Sequence, residues 1–129
     1  IANKEVITIY GDGQQTMDMI FGADIGAANV AALDNEECKN IFLNVGTGIQ
    51  TSVFKLLQMI KHNMSFLMDT SEFRFLYEEH DPNLVKERCA DVIEMHKYLG
   101  KHKVDVAAGV ALTCKELYAK ATEWESHNG

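Results

Sequence analysis

Two glycine turns place the strongest constraint on the fold of this chain, because each one ends a short apolar segment. Gly11-Asp12-Gly13 follows the β-branched and aromatic residues 6–10, and Gly46-Thr47-Gly48 follows the apolar residues 41–45. Segments of this composition that stop at glycine are typical of β-strands, since glycine tolerates the backbone angles of a tight turn. We therefore predict a strand before each turn.

The two turns predict different connections. Asp12-Gly13 is a strong hairpin dipeptide, so we expect a returning strand over residues 17–21, although the same glycines could form a nest for an anion. Gly46-Thr47-Gly48 stands before a predicted helix, where a dinucleotide-binding loop also lies. That loop needs GxGxxG, and Thr51 occupies the third glycine position here. A plain strand-to-helix turn is favoured, and a phosphate-cradling role stays open.

The first half of the chain predicts two helices. Asp24 stands where an N-cap is expected, before the apolar residues Ile25, Ala28, Ala32 and Leu33 at helical spacing. Thr51 or Ser52 can cap the second helix, whose apolar face comprises Val53, Leu56, Leu57 and Ile60.

The second half predicts a strand over residues 73–77, a turn at Asp81-Pro82-Asn83 and two more helices. Asp91 can cap the first of these, which Gly100 ends. The other, over residues 107–125, has one apolar face of Val110, Cys114, Leu117, Ala121 and Trp124. Four helices and four short strands in mixed order indicate an α/β fold.

Composition narrows the class of protein. A length of 129 residues suits a single domain, and we expect residues 1–129 to form one. The net charge of −7 argues against nucleic acid as a partner, and no apolar run is long enough for a membrane. The three cysteines form no CxxC pair and the histidines no ligand pair, so we expect free thiols, no metal site and a cytoplasmic location.

Charged residues offer few candidate anion ligands. Arg74 and Arg88 are the two arginines of the sequence, and a guanidinium can bind a diphosphate through two hydrogen bonds. A surface ion pair is the alternative for Arg74. Glu78, Glu79 and Asp81 form a small acidic cluster, which is typical of a solvated loop.

Taken together, these motifs resemble the C-terminal part of the NAD-dependent epimerase/dehydratases that modify nucleotide sugars, the extended short-chain dehydrogenase/reductase family. In that family Tyr-Gly-Asp-Gly leads to Gln-Thr-Arg-Asp, then to an Asp-initiated Ala-rich helix and to Asn-Val-Gly-Thr-Gly. The matching segments here are Tyr10-Gly11-Asp12-Gly13, Gln15-Thr16-Met17-Asp18, the helical segment that begins at Asp24, and residues 44–48. A later Arg, Asp and Leu-Gly correspond to Arg88, Asp91 and Leu99-Gly100.

The resemblance implies a fold and a role. The chain would be the substrate-binding portion of a Rossmann-type enzyme, without the N-terminal cofactor-binding domain. Thr8, Ile9 and Tyr10 would lie against the nucleotide base, Asn44 near the sugar diphosphate, and Arg88 would reach the phosphates. The parent enzyme would use NAD or NADP, whereas this chain alone would bind neither.

Two departures from the family pattern bear on function. Met17 stands where the family has the arginine that grips the diphosphate, and a thioether cannot replace a guanidinium. The catalytic Tyr-x-x-x-Lys does not occur, since Gln14, Asp81, His102 and Thr122 follow the four tyrosines at that spacing. We therefore expect this chain by itself to be inactive.

Two alternatives to nucleotide-sugar binding remain. The first is a non-catalytic binding or interaction domain derived from the same fold, and the second is part of a related reductase with a non-nucleotide substrate.

In the parent fold, the first helix and residues 41–45 would pack on the cofactor domain. Because that surface is apolar, we also expect self-association of the isolated chain.

Overall fold

The computed structural model describes residues 6–71, 73–79 and 85–128 of the chain. The predicted turn at Asp81-Pro82-Asn83 lies outside these residues. The described part contains four α-helices and five short strands, which confirms the α/β class. The strands are β1 Ile7–Tyr10, β2 Thr16–Asp18, β3 Gln50–Ser52, β4 Phe75–Glu78 and β5 Glu87–Arg88; the helices are α1 Gly22–Asp34, α2 Val53–Met64, α3 Ile93–Tyr98 and α4 Val106–Asn128.

The chain divides into two compact units. Unit 1 comprises residues 1–15, 52–86 and 110–129, and unit 2 comprises residues 16–51 and 87–109. The first unit therefore holds β1, β4 and α2, and the second holds β2, β5, α1 and α3. Strand β3 and helix α4 each cross the division.

Unit 1 is organised around a parallel pair of strands. Strands β1 and β4 run in the same direction, with Ile7 opposite Phe75 and Ile9 opposite Tyr77. Side chains alternate between the faces of a strand, so these four share one face. Ile9, the most buried of them, lines an apolar groove with Phe54 of helix α2. Helix α2 thus covers this face of the pair.

The start of helix α2 is held by the loop that follows β1. The Ser52 hydroxyl accepts a hydrogen bond from Lys55 N at 3.2 Å, which confirms Ser52 as the cap. The N–H groups of Val53 and Phe54 donate to the carbonyls of Gln15 and Gly13 at 3.1 and 2.9 Å. These bonds satisfy helix-terminal donors that have no partner within the helix.

Unit 2 contains a three-stranded sheet in the order β3-β2-β5, and β2 pairs with β5 in parallel. Helix α1 is attached to the loop after α3 by Asp24, which is 7% exposed. Its carboxylate accepts hydrogen bonds from Lys103 N at 3.0 Å and from Val104 N at 2.9 Å. A carboxylate inside the helix therefore holds a loop about eighty residues away in sequence.

Two of the strand predictions are wrong, namely the hairpin at Asp12-Gly13 and the strand at residues 41–45. Asp12-Gly13 does not form a hairpin, because β1 pairs with β4 and β2 pairs with β5, each in parallel. The returning strand is also shorter than expected, ending at Asp18. Residues 41–45 form no strand; Ile41 is 41% exposed and Phe42 103% exposed, and the nearby strand is β3 instead. A strand needs a ladder partner, and none of the described residues supplies one for this segment.

The helix predictions are mostly confirmed, and two caps need correction. Helix α1 begins after Phe21 with no side-chain cap, so Asp24 lies inside its first turn and does not cap it. Helix α3 begins after Val92, but the Asp91 carboxylate does accept a hydrogen bond from Ile93 N at 3.0 Å. Gly100 follows α3 with a φ of +86°, as a helix-ending glycine does.

Two further properties hold for the described ranges. None of the helices in these ranges is long and apolar enough to cross a membrane. Nor do the residues of these ranges bring together three or more His, Cys, Asp or Glu side chains that could hold a metal ion.

The Asp24 contact predicts a pH-dependent contribution to stability. Hydrogen bonds from the N–H groups of Val104 and Lys103 lower the pKa of Asp24 below its ordinary value of 3.8, although burial opposes this. A lowered folded-state pKa means that the charged carboxylate stabilises the fold above pH 3.8 and loses this effect as the pH falls further. We expect Asp24→Asn to lower the melting temperature at pH 7, because its NH2 group faces a backbone donor.

Calorimetric melting curves of both proteins between pH 7 and pH 2 would measure this effect. The two melting temperatures should converge at the acidic end, where Asp24 is protonated. Asp34→Asn, the same change at an exposed position of helix α1, is the control and should leave the melting temperature nearly unchanged. A constant difference between wild type and Asp24→Asn across the whole pH range would contradict the assigned role.

Candidate functional site

The three residues expected at the nucleotide base lie on strand β1 of unit 1, and they do not share a face. Thr8 and Tyr10 are exposed and stand opposite Leu76 and Glu78, whereas Ile9 is 3% exposed on the other face. The side chains of Thr8 and Tyr10 are therefore available to a ligand. The Ile9 side chain belongs to the packing under helix α2.

The two residues expected at the phosphates lie in unit 2. Arg88 is exposed on strand β5, and Met17 is its partner in the parallel register with β2. Partners in a parallel pair project on the same face. Arg88 is thus placed beside the position at which the family pattern has an arginine. Asn44 is also exposed and lies shortly before the Gly46-Thr47-Gly48 turn.

The turn and the end of β5 are joined by one carboxylate. Asp18 Oδ1 accepts hydrogen bonds from Thr47 N at 2.9 Å and from Thr47 Oγ1 at 2.5 Å. Its Oδ2 accepts from Gly48 N at 2.8 Å and from Ala90 N at 3.3 Å. Asp18 therefore fixes the segment after Asn44 and the segment after Arg88 to the same strand.

These donors stabilise the ionised form of Asp18. Partial burial raises the pKa of Asp18, but hydrogen bonds from the Thr47 hydroxyl and from the N–H groups of Thr47, Gly48 and Ala90 outweigh it. The resulting pKa lies below the ordinary value of 3.8. Asp18 is consequently ionised at neutral pH and keeps these bonds.

The Asp18 bonds also settle the chemistry of the glycine turn. A phosphate-cradling loop must offer its backbone N–H groups to the ligand. Here the N–H groups of Thr47 and Gly48 donate to Asp18, so they are occupied. These two N–H groups are therefore not available to a phosphate in this structure. The predicted strand-to-helix turn is wrong in its connections, because residues 41–45 form no strand and β3 Gln50–Ser52 follows the turn.

The loop at Gly11-Asp12-Gly13 is likewise a turn. Gln14 N donates to Asp12 Oδ1 at 2.9 Å, and the Gln15 amide donates to the Tyr10 carbonyl at 2.7 Å. Gly11 and Gly13 have φ angles of +80° and +76°, a region that favours glycine. The loop therefore turns the chain after β1 so that the Gly13 carbonyl can accept from Phe54 N at the start of helix α2.

The sequence does not predict the partners of Asp18. It lies in the family-like segment Gln15-Thr16-Met17-Asp18, but an aspartate in a strand gives no sign of what it binds. In the structure, the backbone of Gly46 passes close to its carboxylate. Any Cβ there would lie 2.6 Å from Asp18 Oδ2 and 2.6 Å from Ala90 Cβ, so only glycine leaves room for the carboxylate.

We predict opposite effects for two glycine substitutions. Gly46→Ala should destabilise the protein by about 1–3 kcal/mol, because its methyl group overlaps Asp18 and the rigid Cβ of Ala90. Gly26→Ala, inside helix α1 with nothing within 4 Å, should stabilise it by about 0.5–1 kcal/mol. Chemical denaturation of both variants measures the difference. Equal effects of the two substitutions would show that the contact around Gly46 is not close.

No protein-family model matches the chain. A curated protein of Methanocaldococcus jannaschii, described as a putative UDP-glucose 4-epimerase, is 31% identical over 102 residues, which cover 79% of this chain and 31% of that protein.

Two solved structures are similar to the chain. A UDP-glucose 4-epimerase from Thermotoga maritima with UDP-glucose superposes with a TM-score of 0.76 at 26% identity, covering 93% of this chain and 36% of the other. A UDP-glucuronic acid 4-epimerase from Bacillus cereus in complex with NAD gives a TM-score of 0.63 at 26% identity, covering 91% and 37%.

The chain spans about one third of the length of the relatives that it matches. The segments that resemble the family in sequence contain β1, the Gly46-Thr47-Gly48 turn and β5. The order of these motifs along the chain therefore agrees with the match to the epimerases. The chain belongs to the NAD-dependent epimerase/dehydratases of the extended short-chain dehydrogenase/reductase family, and it corresponds to their C-terminal portion.

Proposed function

We propose that this chain is the substrate-binding part of an NAD(P)-dependent nucleotide-sugar epimerase or dehydratase. Its task would be to hold the nucleotide diphosphate so that the sugar ring meets the cofactor, which is catalysis by positioning. Thr8 and Tyr10 would contact the base, while Asn44 and Arg88 would bind the diphosphate.

The observation that carries this proposal is the placement of Arg88. It is exposed, it lies on the strand that pairs with the family-like segment, and its register partner is Met17. Asp18 also holds Ala90, two residues after Arg88, through a hydrogen bond from Ala90 N at 3.3 Å. A guanidinium held at this position can bind a phosphate through two parallel hydrogen bonds.

One observation favours the alternative of a non-catalytic interaction domain or a reductase of a non-nucleotide substrate. Met17 is 37% exposed and offers no charge beside Arg88. A diphosphate would therefore meet one guanidinium where the family pattern has two, so its affinity is the quantity that separates the proposals.

The cofactor and the chemistry would come from the remainder of the enzyme. NAD accompanies one of the related structures, and the matched relatives are about three times as long as this chain. We assign the cofactor-binding domain to that additional length and expect no oxidation or reduction of a sugar by this chain alone. The cysteines Cys38, Cys89 and Cys114 are free, which supports a cytoplasmic location.

Titration calorimetry of the intact protein with UDP-, GDP-, ADP- and dTDP-sugars tests the binding proposal. We expect one class of nucleotide sugar to bind. Arg88→Gln should weaken that binding about tenfold or more, because a hydrogen bond to a charged group contributes about 1.5–3 kcal/mol. Met17→Arg should strengthen it by a similar factor, since the new guanidinium projects on the face of Arg88.

Arg74→Gln is the matched control, because Arg74 is the other arginine of the chain and is also exposed. It should leave the affinity unchanged. An absence of binding at millimolar concentration of every nucleotide sugar would favour the interaction-domain alternative. Equal losses for Arg88→Gln and Arg74→Gln would remove Arg88 from the site.

The exposed apolar residues of unit 2 support a second part of the proposal. Val30 and Leu33 of helix α1 are 59% and 86% exposed, and Phe42 is entirely exposed. We propose that this surface packs on the cofactor-binding domain. Without that domain the same surface would remain in water and favour association between copies.

Sedimentation of the isolated 129-residue chain should therefore show self-association that increases with concentration. Phe42→Ser should shift the equilibrium towards monomer, because it removes the most exposed aromatic ring of this surface. Phe66→Ser, at an aromatic residue of unit 1 that is 74% exposed, is the control and should change little. A chain that stays monomeric at high concentration would argue against the proposed surface.

A further inference from the structure

Unit 2 contains a cavity of about 160 Å³ whose residues have no role in the proposed phosphate site. It lies between helix α1 and the loop that follows α3. Ala27, Ala28 and Ala31 form its wall on α1, and Met95 and Leu99 line the α3 side. The space exists because three methyl side chains on one helix face cannot fill the distance to the opposite element.

The other side of the cavity is basic. Lys101, His102 and Lys103 line it in succession, and Asp24 is the acidic residue of the lining. With the histidine neutral, two lysines and one aspartate leave this lining with a net charge of +1. The whole chain carries −7, so the cavity is an electropositive site on an acidic protein. Its charge favours an anionic ligand.

One polar atom of the lining is left without a partner. His102 Nδ1 is buried and makes no hydrogen bond to any residue in the described part of the chain. The two oxygens of Asp24 already accept from Lys103 N and Val104 N, so Asp24 is engaged by the backbone. An imidazole nitrogen can donate or accept according to its tautomer, and a buried one without a partner is unfavourable. A ligand oxygen in the cavity would satisfy it.

We propose that this cavity binds a small carboxylate with a short apolar tail. The tail would contact Ala27, Ala31 and Leu99, and the carboxylate would lie at Lys101 and His102. The size agrees, because an apolar cavity of about 150 Å³ takes up benzene, a ligand of about six carbons. This site is separate from Arg88 and does not depend on the proposed function.

Butyrate is the probe that tests the proposal, and n-butanol is its uncharged counterpart. In the intact protein with ¹³C-labelled alanine methyl groups, butyrate should shift the signals of Ala27, Ala28 and Ala31 saturably. The signal of Ala119, an exposed alanine of helix α4, should not move. Butanol should bind about tenfold more weakly, since it lacks the charge-assisted hydrogen bonds. Equal binding of butyrate and butanol would overturn the proposed carboxylate position.

Three substitutions test whether the butyrate response arises from the cavity. Ala31→Leu fills the cavity and should abolish the butyrate response, whereas Ala119→Leu makes the same change at an exposed helix position outside it and should preserve the response. Lys101→Gln alters an exposed side chain without disturbing the packing and should weaken butyrate about fivefold to tenfold. An unchanged affinity in Lys101→Gln, or a full response in a folded Ala31→Leu, would disprove the site.

Discussion

The carboxylate of Asp18 is the interaction on which the proposed site depends. It collects donors from two segments that are far apart in sequence, at Thr47-Gly48 and at Ala90. Hydrogen bonds to an ionised acceptor are roughly twice as strong as neutral ones, so one partly buried charge can hold three pieces of chain together. Gly46 is required because a side chain there would occupy the place of the carboxylate.

This arrangement limits what the site can offer to a phosphate. Because Asp18 takes the N–H groups of Thr47 and Gly48, the glycine turn contributes a fixed backbone shape and no free donors from these two residues. An anion at this site would therefore have to be bound by side chains. Arg88 is the cation at this register of the sheet, and Met17 beside it adds none. The proposed function accordingly depends on one guanidinium. For this reason the affinity of the protein for nucleotide sugars is the informative measurement.

The helices could be predicted from the sequence because their signals are local. Ser52 caps α2 by bonding to Lys55 N, and Gly100 ends α3 with a positive φ, and both signals lie within a few residues. Strand pairing could not be predicted in the same way. Asp12-Gly13 favours a hairpin locally, but Ile7 pairs with Phe75, and a parallel partner needs a long connection. The sequence offers Arg74 and Arg88 equally as anion ligands, and the resemblance to the family is what favours Arg88. The partners of Asp18 have no local signal.

Residues 41–45 show most clearly how far local sequence determines structure in this chain. Their apolar composition is that of a strand, but strand structure requires hydrogen bonds to a neighbouring strand, which the described residues do not provide.

Burial of apolar side chains is limited in the same way. Hydrophobic residues make up 47% of the chain, but five of those described are buried, namely Ile9, Ala28, Met64, Met95 and Cys114. Folding has to offset the conformational entropy of the chain mainly by removing apolar surface from water. Phe42 and Leu33, which remain outside, therefore contribute little until a second surface covers them. Covering by the cofactor-binding domain would complete both the strand pairing and the hydrophobic packing, so the proposed assembly explains two features of the chain by one contact.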